Sequence, residues 1–173
     1  MVSPDKVAAL ASLKEDENYA FRTYLKDESD PDELDQQFLQ LHNLLFADFD
    51  CSSCRNCCKA YQGVLDEDDL PACAEALGMS VEDFTETYLN RDRFGNWETK
   101  HRPCDFLQGD GSCLLGDHKP QNCVLYPYTN QPDRWGSLYG VVENASVCPV
   151  VYEILERLKK LYGFRYRKRS RHY

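Results

Sequence analysis

The chain has 173 residues, a formal net charge of −9 and 28% charged residues, which is the size of one ordinary domain. Its mean hydropathy of −0.61 predicts a modest core, and no apolar run approaches the roughly 18 residues that a membrane span needs. The first residues lack the charged-then-apolar pattern of a signal peptide, so we expect a cytoplasmic protein. The acidic body argues against DNA binding.

Residues 1–50 predict an acidic helical hairpin packed on the core. Ser3-Pro4 and Asp30-Pro31 each place a capping residue before a proline that suits the first helical turn. Apolar residues follow the second start at helical spacing: Leu34, Phe38, Leu41, Leu45 and Phe49. Core packing explains these two helices completely.

A run of four cysteines follows, made of Cys51, Cys54, Cys57 and Cys58. Two-residue gaps let a loop wrap around one point and direct its thiolates at one ion. A C-x2-C-x2-C run with a distant fourth cysteine is also a ferredoxin-like way to hold a [4Fe–4S] cluster, which favours iron–sulfur slightly over zinc. The vicinal Cys58 adds a ligand that one such cluster does not need.

Two short helices are predicted after the run. The first opens at the acidic stretch Asp66–Leu70 and ends near Gly78, and the second starts at Ser80. The ninth cysteine, Cys73, falls in the middle of the first helix among alanines. There it is predicted to be a small buried hydrophobic residue.

Residues 91 to 142 are predicted to be mostly irregular. The Gly109-Asp110-Gly111 turn predicts a hairpin that brings Cys104 and Cys113 together. A second strand pair is predicted between Trp135 and Val142. Regular periodicity is weak here, so we expect the region to need a metal to hold its shape.

The last predicted helix begins at Cys148-Pro149 and ends at Gly163, and its inward residues are Val151, Leu155, Leu158 and Tyr162. Residues 164–173 hold five basic side chains and no acid, which predicts a solvated tail or a contact with an anionic partner. We therefore expect an N-terminal helical hairpin (residues 1–50), a cysteine-cluster metal-binding domain (51–163) and a basic tail (164–173).

Four more cysteines lie beside turn residues downstream of the run: Cys104, Cys113, Cys123 and Cys148. In a chain without a signal peptide, this usage indicates metal binding rather than a disulfide framework. Thiolates select zinc, iron–sulfur clusters or cuprous copper over magnesium and calcium. Two mononuclear sites, one cluster with one zinc, and one polynuclear centre all remain open. His101 and His118 are weaker candidates that would complete a Cys3His site.

Together these motifs resemble the YkgJ-type cysteine-cluster family of CxxCxxCC proteins over roughly residues 51–149. The resemblance rests on Cys51-x2-Cys54-x2-Cys57-Cys58, Cys104-x-Phe-Leu, Gly-x-Cys113, Lys119-Pro120-x2-Cys123 and Cys148-Pro149. It implies zinc or iron chelation by the eight motif cysteines. The chain departs from the family where Arg55-Asn56 stands in place of a frequent glycine. It departs again where Lys119 stands in place of an arginine.

We therefore expect a mainly α-helical, metal-stapled single domain with small irregular β-hairpins. The expected function is metal binding through an iron–sulfur cluster, slightly favoured as [4Fe–4S], or through Zn2+, in a structural or redox role. One alternative is a metal-dependent enzyme of oxidoreductase or hydrolase type with an open metal position. Another is a metal-stabilised protein-interaction module. The expected partner is an unidentified protein or small molecule, with no membrane contact.

Overall fold

Residues 1–167 are described by a computed structural model, which confirms a mainly α-helical fold with little β-structure. Residue contacts divide the chain into two compact units. The helical unit comprises Met1–Phe49 and the chain from Pro127 onward, and the cysteine module comprises Asp50–Tyr126. No helix within residues 1–167 is both long and apolar enough to cross a membrane. Residues 168–173 of the predicted basic tail lie outside the described residues.

The elements follow one another in a simple order. The helices are α1 (Val7–Leu13), α2 (Glu15–Glu28), α3 (Pro31–Phe46), α4 (Cys51–Cys54), α5 (Asn56–Ala60), α6 (Leu70–Ala76), α7 (Val81–Tyr88), α8 (Gln121–Leu125), α9 (Arg134–Asn144) and α10 (Pro149–Leu161). The strands are β1 (Val64–Leu65), β2 (Leu89–Arg91) and β3 (Trp97–Thr99).

The helical unit packs α3 against both α9 and α10, α2 against α9, and α1 against α10. Three helices rather than the expected two occupy its N-terminal part, because the chain breaks at Lys14 between α1 and α2. The predicted start of α3 is confirmed: the Asp30 carboxylate accepts a hydrogen bond from the Glu33 backbone N–H at 2.9 Å. The predicted inner face of α10 is confirmed for Val151, Leu155 and Leu158, which are buried, whereas Tyr162 is half-buried just beyond the end of the helix.

The strand pair predicted between Trp135 and Val142 is wrong, because this segment forms α9. Asp133 caps the helix by accepting a hydrogen bond from the Gly136 N–H at 3.0 Å. The buried residues Leu138, Val141 and Val142 lie at helical spacing against α2, α3 and α10. Two glycines, with aromatic and β-branched residues, lower the intrinsic helix propensity, and packing against the other helices overrides that preference.

The cysteine module contains a three-stranded antiparallel sheet in the order β1-β3-β2, which the sequence did not predict. Leu89 pairs with Thr99, and Val64 pairs with Glu98. The predicted hairpin around Gly109–Gly111 is present only as a single antiparallel bridge between Leu107 and Cys113. The predicted helix starts at Asp66 and Ser80 are confirmed by capping hydrogen bonds.

One apolar cluster forms the core of the cysteine module. Its centre is the stacked pair of Phe84 and Phe106, whose ring centroids are 5.8 Å apart. Cys104 and Cys113 pack against this cluster while remaining partly exposed. The core therefore fixes the backbone positions of two predicted metal ligands.

Candidate metal centre

The cysteine run forms two short helical turns joined by one left-handed residue. Asp50 caps the first turn, because its carboxylate accepts hydrogen bonds from the backbone N–H and the hydroxyl of Ser52, both at 2.7 Å. Arg55 ends this turn with φ 54° and ψ 17°, and α5 starts at the next residue. Because the chain reverses at Arg55, thiols from the two turns lie near one another. Burial, followed by the charges of neighbours that include Cys54 and Cys58, raises the pKa of Cys51.

The vicinal cysteines Cys57 and Cys58 have sulfur atoms close to each other. The Sγ atoms of Cys57 and Cys58 are 3.9 Å apart. Their mutual hydrogen bond, followed by burial, raises the pKa of Cys57. The same bond, with the positive charges of Arg55 and Lys119, lowers the pKa of Cys58 against the opposing effect of burial. Cys58 is therefore the thiol of this pair that ionises more readily.

Cys104 is attached to the run through its backbone. Its N–H donates to the carbonyl oxygen of Cys58 at 2.8 Å. Burial raises the pKa of Cys104, and the charge of Cys58 adds to that rise. Hydrogen bonds from the Phe106 and Gly63 N–H groups and from Thr99 act in the opposite direction, because they stabilise the thiolate.

Cys113 and Cys123 belong to the same group of thiols. Loss of solvent around the Cys123 thiol, followed by the charges of Cys104, Cys58 and Cys113, raises the pKa of Cys123. The residue as a whole remains solvent-exposed. Cys123 lies in α8, where its N–H donates to the Pro120 carbonyl at 2.9 Å.

Seven of the eight predicted ligands lie in the cysteine module: Cys51, Cys54, Cys57, Cys58, Cys104, Cys113 and Cys123. The eighth, Cys148, lies in the helical unit, where it is buried at the start of α10 and its N–H donates to the Asn144 carbonyl at 2.8 Å. The ligand role of all eight cysteines stays a prediction.

The thiols are grouped but not closed around one point. Within residues 1–167, no three side chains of the His, Cys, Asp or Glu types converge in the arrangement of a ready-made metal site. The donor set nevertheless fits a thiophilic metal, because it supplies many sulfur ligands and because several of them lie within electrostatic range of each other. Binding a metal would require thiol side chains to rotate inward.

The remaining cysteine is structural, as predicted. Cys73 is 1% exposed in the module core, and its thiol donates to the backbone carbonyl of His118 at 3.3 Å. Burial raises its pKa to about 11. A neutral, hydrogen-bonded thiol of this kind is a poor ligand.

The two candidate histidines differ from each other. The Nδ1 atom of His101 lies 2.7 Å from Asp105 Oδ1, and its backbone N–H donates to Oδ2 of the same carboxylate. His118 makes only backbone contacts among those described, donating its N–H to Leu115 and accepting from Cys73. His101, whose ring is oriented by a carboxylate, is therefore the better placed of the two to bind a metal.

Sequence reasoning missed the residues that surround Cys104. A Cβ atom on Gly63 would lie 3.3 Å from both Cys104 Sγ and Thr99 Cγ2. The Gly63 N–H donates to the Thr99 hydroxyl at 2.9 Å, and Thr99 is fully buried. Finding this neighbourhood from the sequence would have required predicting strand β3, because strand pairing places Thr99 beside Gly63, and Gly63 lies next to Cys104.

Comparison with known proteins yields one match. The CxxCxxCC family model, described as "Putative zinc- or iron-chelating domain", covers residues 50–149. No curated protein and no solved structure matches the chain. The matched segment is more than half of the chain and contains all eight motif cysteines. This chain belongs to the CxxCxxCC family, whose domain is assigned to zinc or iron chelation.

Proposed function

We propose that the cysteine module holds a thiolate-bound metal centre whose first role is to stabilise the loops that carry its ligands. The observation that carries the proposal is the 3.9 Å separation between the sulfur atoms of Cys57 and Cys58. Two thiolates bound to one tetrahedral ion with metal–sulfur bonds of about 2.3 Å lie about 3.8 Å apart. The vicinal pair is thus already spaced to share one ion.

This spacing favours zinc. In a [4Fe–4S] cluster each cysteine binds a different iron atom, so a pair that shares one ion suits a mononuclear site better. The hydrogen bond from the Cys104 N–H to the Cys58 carbonyl brings a further ligand loop to the same position. Cys57, Cys58 and Cys104 are therefore the ligands that we assign first, with Cys123 the next candidate.

An iron–sulfur cluster is the second candidate, and the spacing of the run supports it. Cys51, Cys54 and Cys57 keep the C-x2-C-x2-C pattern that binds three irons of such a cluster. A cluster would add a redox role to the structural one. Either centre needs reduced thiols, which suits the cytosol.

An enzyme with an open metal position has one observation in its favour. The His101–Asp105 pair has the geometry in which a carboxylate orients a metal-binding imidazole. The His101 side chain is largely exposed, so a ligand from solvent would have access to it. A His101→Ala variant with unchanged metal content would remove this candidate.

Anaerobic purification followed by metal and sulfide analysis tests the proposal. Zinc is expected to give a colourless protein that contains metal and no sulfide. A brown protein with iron and sulfide would support the second candidate instead. A folded, reduced chain that binds neither metal would contradict both.

Serine variants of the assigned ligands provide the matched comparison. Cys57→Ser, Cys58→Ser and Cys104→Ser are each expected to lower metal content and solubility, because metal binding is coupled to folding in such modules. Cys73→Ala is the control, since it removes a cysteine of the same module that bonds only a backbone carbonyl. An equal loss of metal in the control would show that the effect is not specific to the ligands.

A further inference from the structure

The chain has a residue in the cysteine run whose backbone conformation is unfavourable. Arg55 has φ 54°, in the left-handed region that glycine adopts freely and that is unfavourable for residues with a Cβ atom. The position must be left-handed, because it reverses the chain between α4 and α5. A glycine would satisfy that requirement without strain. Strain retained beside a candidate site points to a role for the side chain.

The contacts of Arg55 lie inside the cysteine run and beside the loop that carries Cys113. Its Nε donates to the Ser52 carbonyl at 3.0 Å. Its Cγ would lie 3.9 Å from a Cβ on Gly111, two residues before Cys113. Its positive charge acts on the thiols of both Cys51 and Cys58. The side chain therefore lies between the run and the loop of Cys113.

A metal centre with several thiolate ligands needs a nearby positive charge, because its own net charge is negative. A divalent ion bound by four thiolates keeps a net charge of about −2. The cysteine module is itself acidic, with fourteen acidic and seven basic side chains between residues 50 and 126. Lys119 is a second cation that acts on Cys58. Without nearby cations, the centre would gather negative charge inside an already negative module.

We infer that Arg55 is a charge-balancing and positioning residue of the metal centre, retained in a strained conformation because its guanidinium offsets the thiolate charge. The inference rests on the proposed metal centre and adds a residue that determines how long the centre retains its metal. Arg55 does not bind the metal. It holds the run and the Cys113 loop in place and slows the loss of the ion.

Three variants separate charge from strain. Arg55→Gln removes the charge and keeps a strained residue, Arg55→Gly removes both, and Arg55→Lys keeps the charge. Arg93→Gln is the matched control, because Arg93 is an exposed arginine in the turn between β2 and β3 of the same module. The rate of metal release to a coloured chelator is measured for each loaded protein at fixed pH, at low and high salt.

Release is expected to be about three- to tenfold faster for Arg55→Gln and Arg55→Gly at low salt, and this difference should shrink at high salt because screening weakens the interaction. Arg55→Lys and Arg93→Gln should stay near the wild-type rate. In urea unfolding, Arg55→Gly should be more stable than Arg55→Gln, which reports the relieved strain.

Wild-type release from Arg55→Gln would overturn the inference and leave the metal centre standing. Release from Arg55→Lys as fast as from Arg55→Gln would overturn the charge-balancing role, because the charge is then not what matters. A wild-type protein that holds no metal under anaerobic conditions would overturn the metal centre and this inference together.

Discussion

Lys159 illustrates how a single buried charge is accommodated in the helical unit. The residue is 5% exposed, and its Nζ donates to Glu17 at 2.8 Å, to Asn18 at 2.6 Å and to Glu156 at 2.8 Å. All three N–H donors of its amino group therefore have hydrogen-bond acceptors, as a buried polar group requires. The network joins α2 to α10.

Replacing Lys159 by methionine is expected to lower the free energy of unfolding by about 2 kcal/mol, because it removes the donor that Lys159 supplies to the Glu17 carboxylate and the buried Asn18 amide. Glu156 still accepts from Lys14. Urea unfolding measures the change. Lys160→Met is the control, because Lys160 is exposed on the same helix. Equal losses in the two variants would mean that the buried network contributes no more than a surface lysine.

At the level of elements, the stability of helix α9 depends on the surroundings of its two glycines, Gly136 and Gly140. A Cβ on Gly136 would clash with the carboxylate of Asp133, and this carboxylate caps the helix. A Cβ on Gly140 would meet no atom within 4 Å. Asp133 itself has φ 60°, so the cap has limited freedom to move away.

Gly140→Ala is therefore expected to stabilise the protein by about 0.5–1 kcal/mol, because alanine loses less entropy than glycine in a helix. Gly136→Ala should gain less or lose stability, since the added methyl group displaces the cap. Thermal unfolding of the two variants measures the difference. A larger gain at Gly136 than at Gly140 would show that the cap contributes little.

Elements with strong local signals were predictable from the sequence. The starts of α3, α7 and α10 follow from Asp30, Ser80 and Pro149, whose local chemistry favours a helix start whatever its surroundings. Helix α9 and the three-stranded sheet were not predictable. Their short or glycine-containing segments are held by contacts with distant parts of the chain, which local propensity does not encode.

The candidate site was likewise predictable only in part from the sequence. The cysteines were identifiable by type and spacing, because few other structures need four thiols in eight residues. The contacts of Arg55 and the environment of Cys104 were not identifiable, since both depend on loops that meet only in the folded module. The departure from the family at Arg55 was visible in the sequence, but its left-handed backbone was not.

Across the whole molecule, the two units are expected to depend on metal to different degrees. Seven of the predicted ligands lie in the cysteine module, whereas the helical unit is built from α-helices that pack on one another. Residues 100–120 of the module contain no helix or strand, only turns and one bridge. Metal ligation would replace the regular hydrogen bonding that this stretch lacks.

Removing the metal with a chelator under reducing conditions is expected to increase amide hydrogen exchange mainly within residues 100–126. Amides of α3 and α10 should change less, because their protection comes from helical hydrogen bonds and apolar burial. Exchange measured by mass spectrometry before and after chelation tests this. A uniform rise across both units, or none in the module, would contradict the prediction.

The division of the chain at Asp50 and Tyr126 also has a consequence for synthesis on the ribosome. The whole cysteine module is made before α9 and α10, the partners that α3 needs. Until α9 and α10 have been synthesised, α3 can pack only with its N-terminal neighbours. The 77 residues numbered 50–126 are synthesised in between. A module that has already folded around its metal shortens that loop and lowers the entropy cost of closing it. Metal supply during translation would then set how quickly the helical unit is completed.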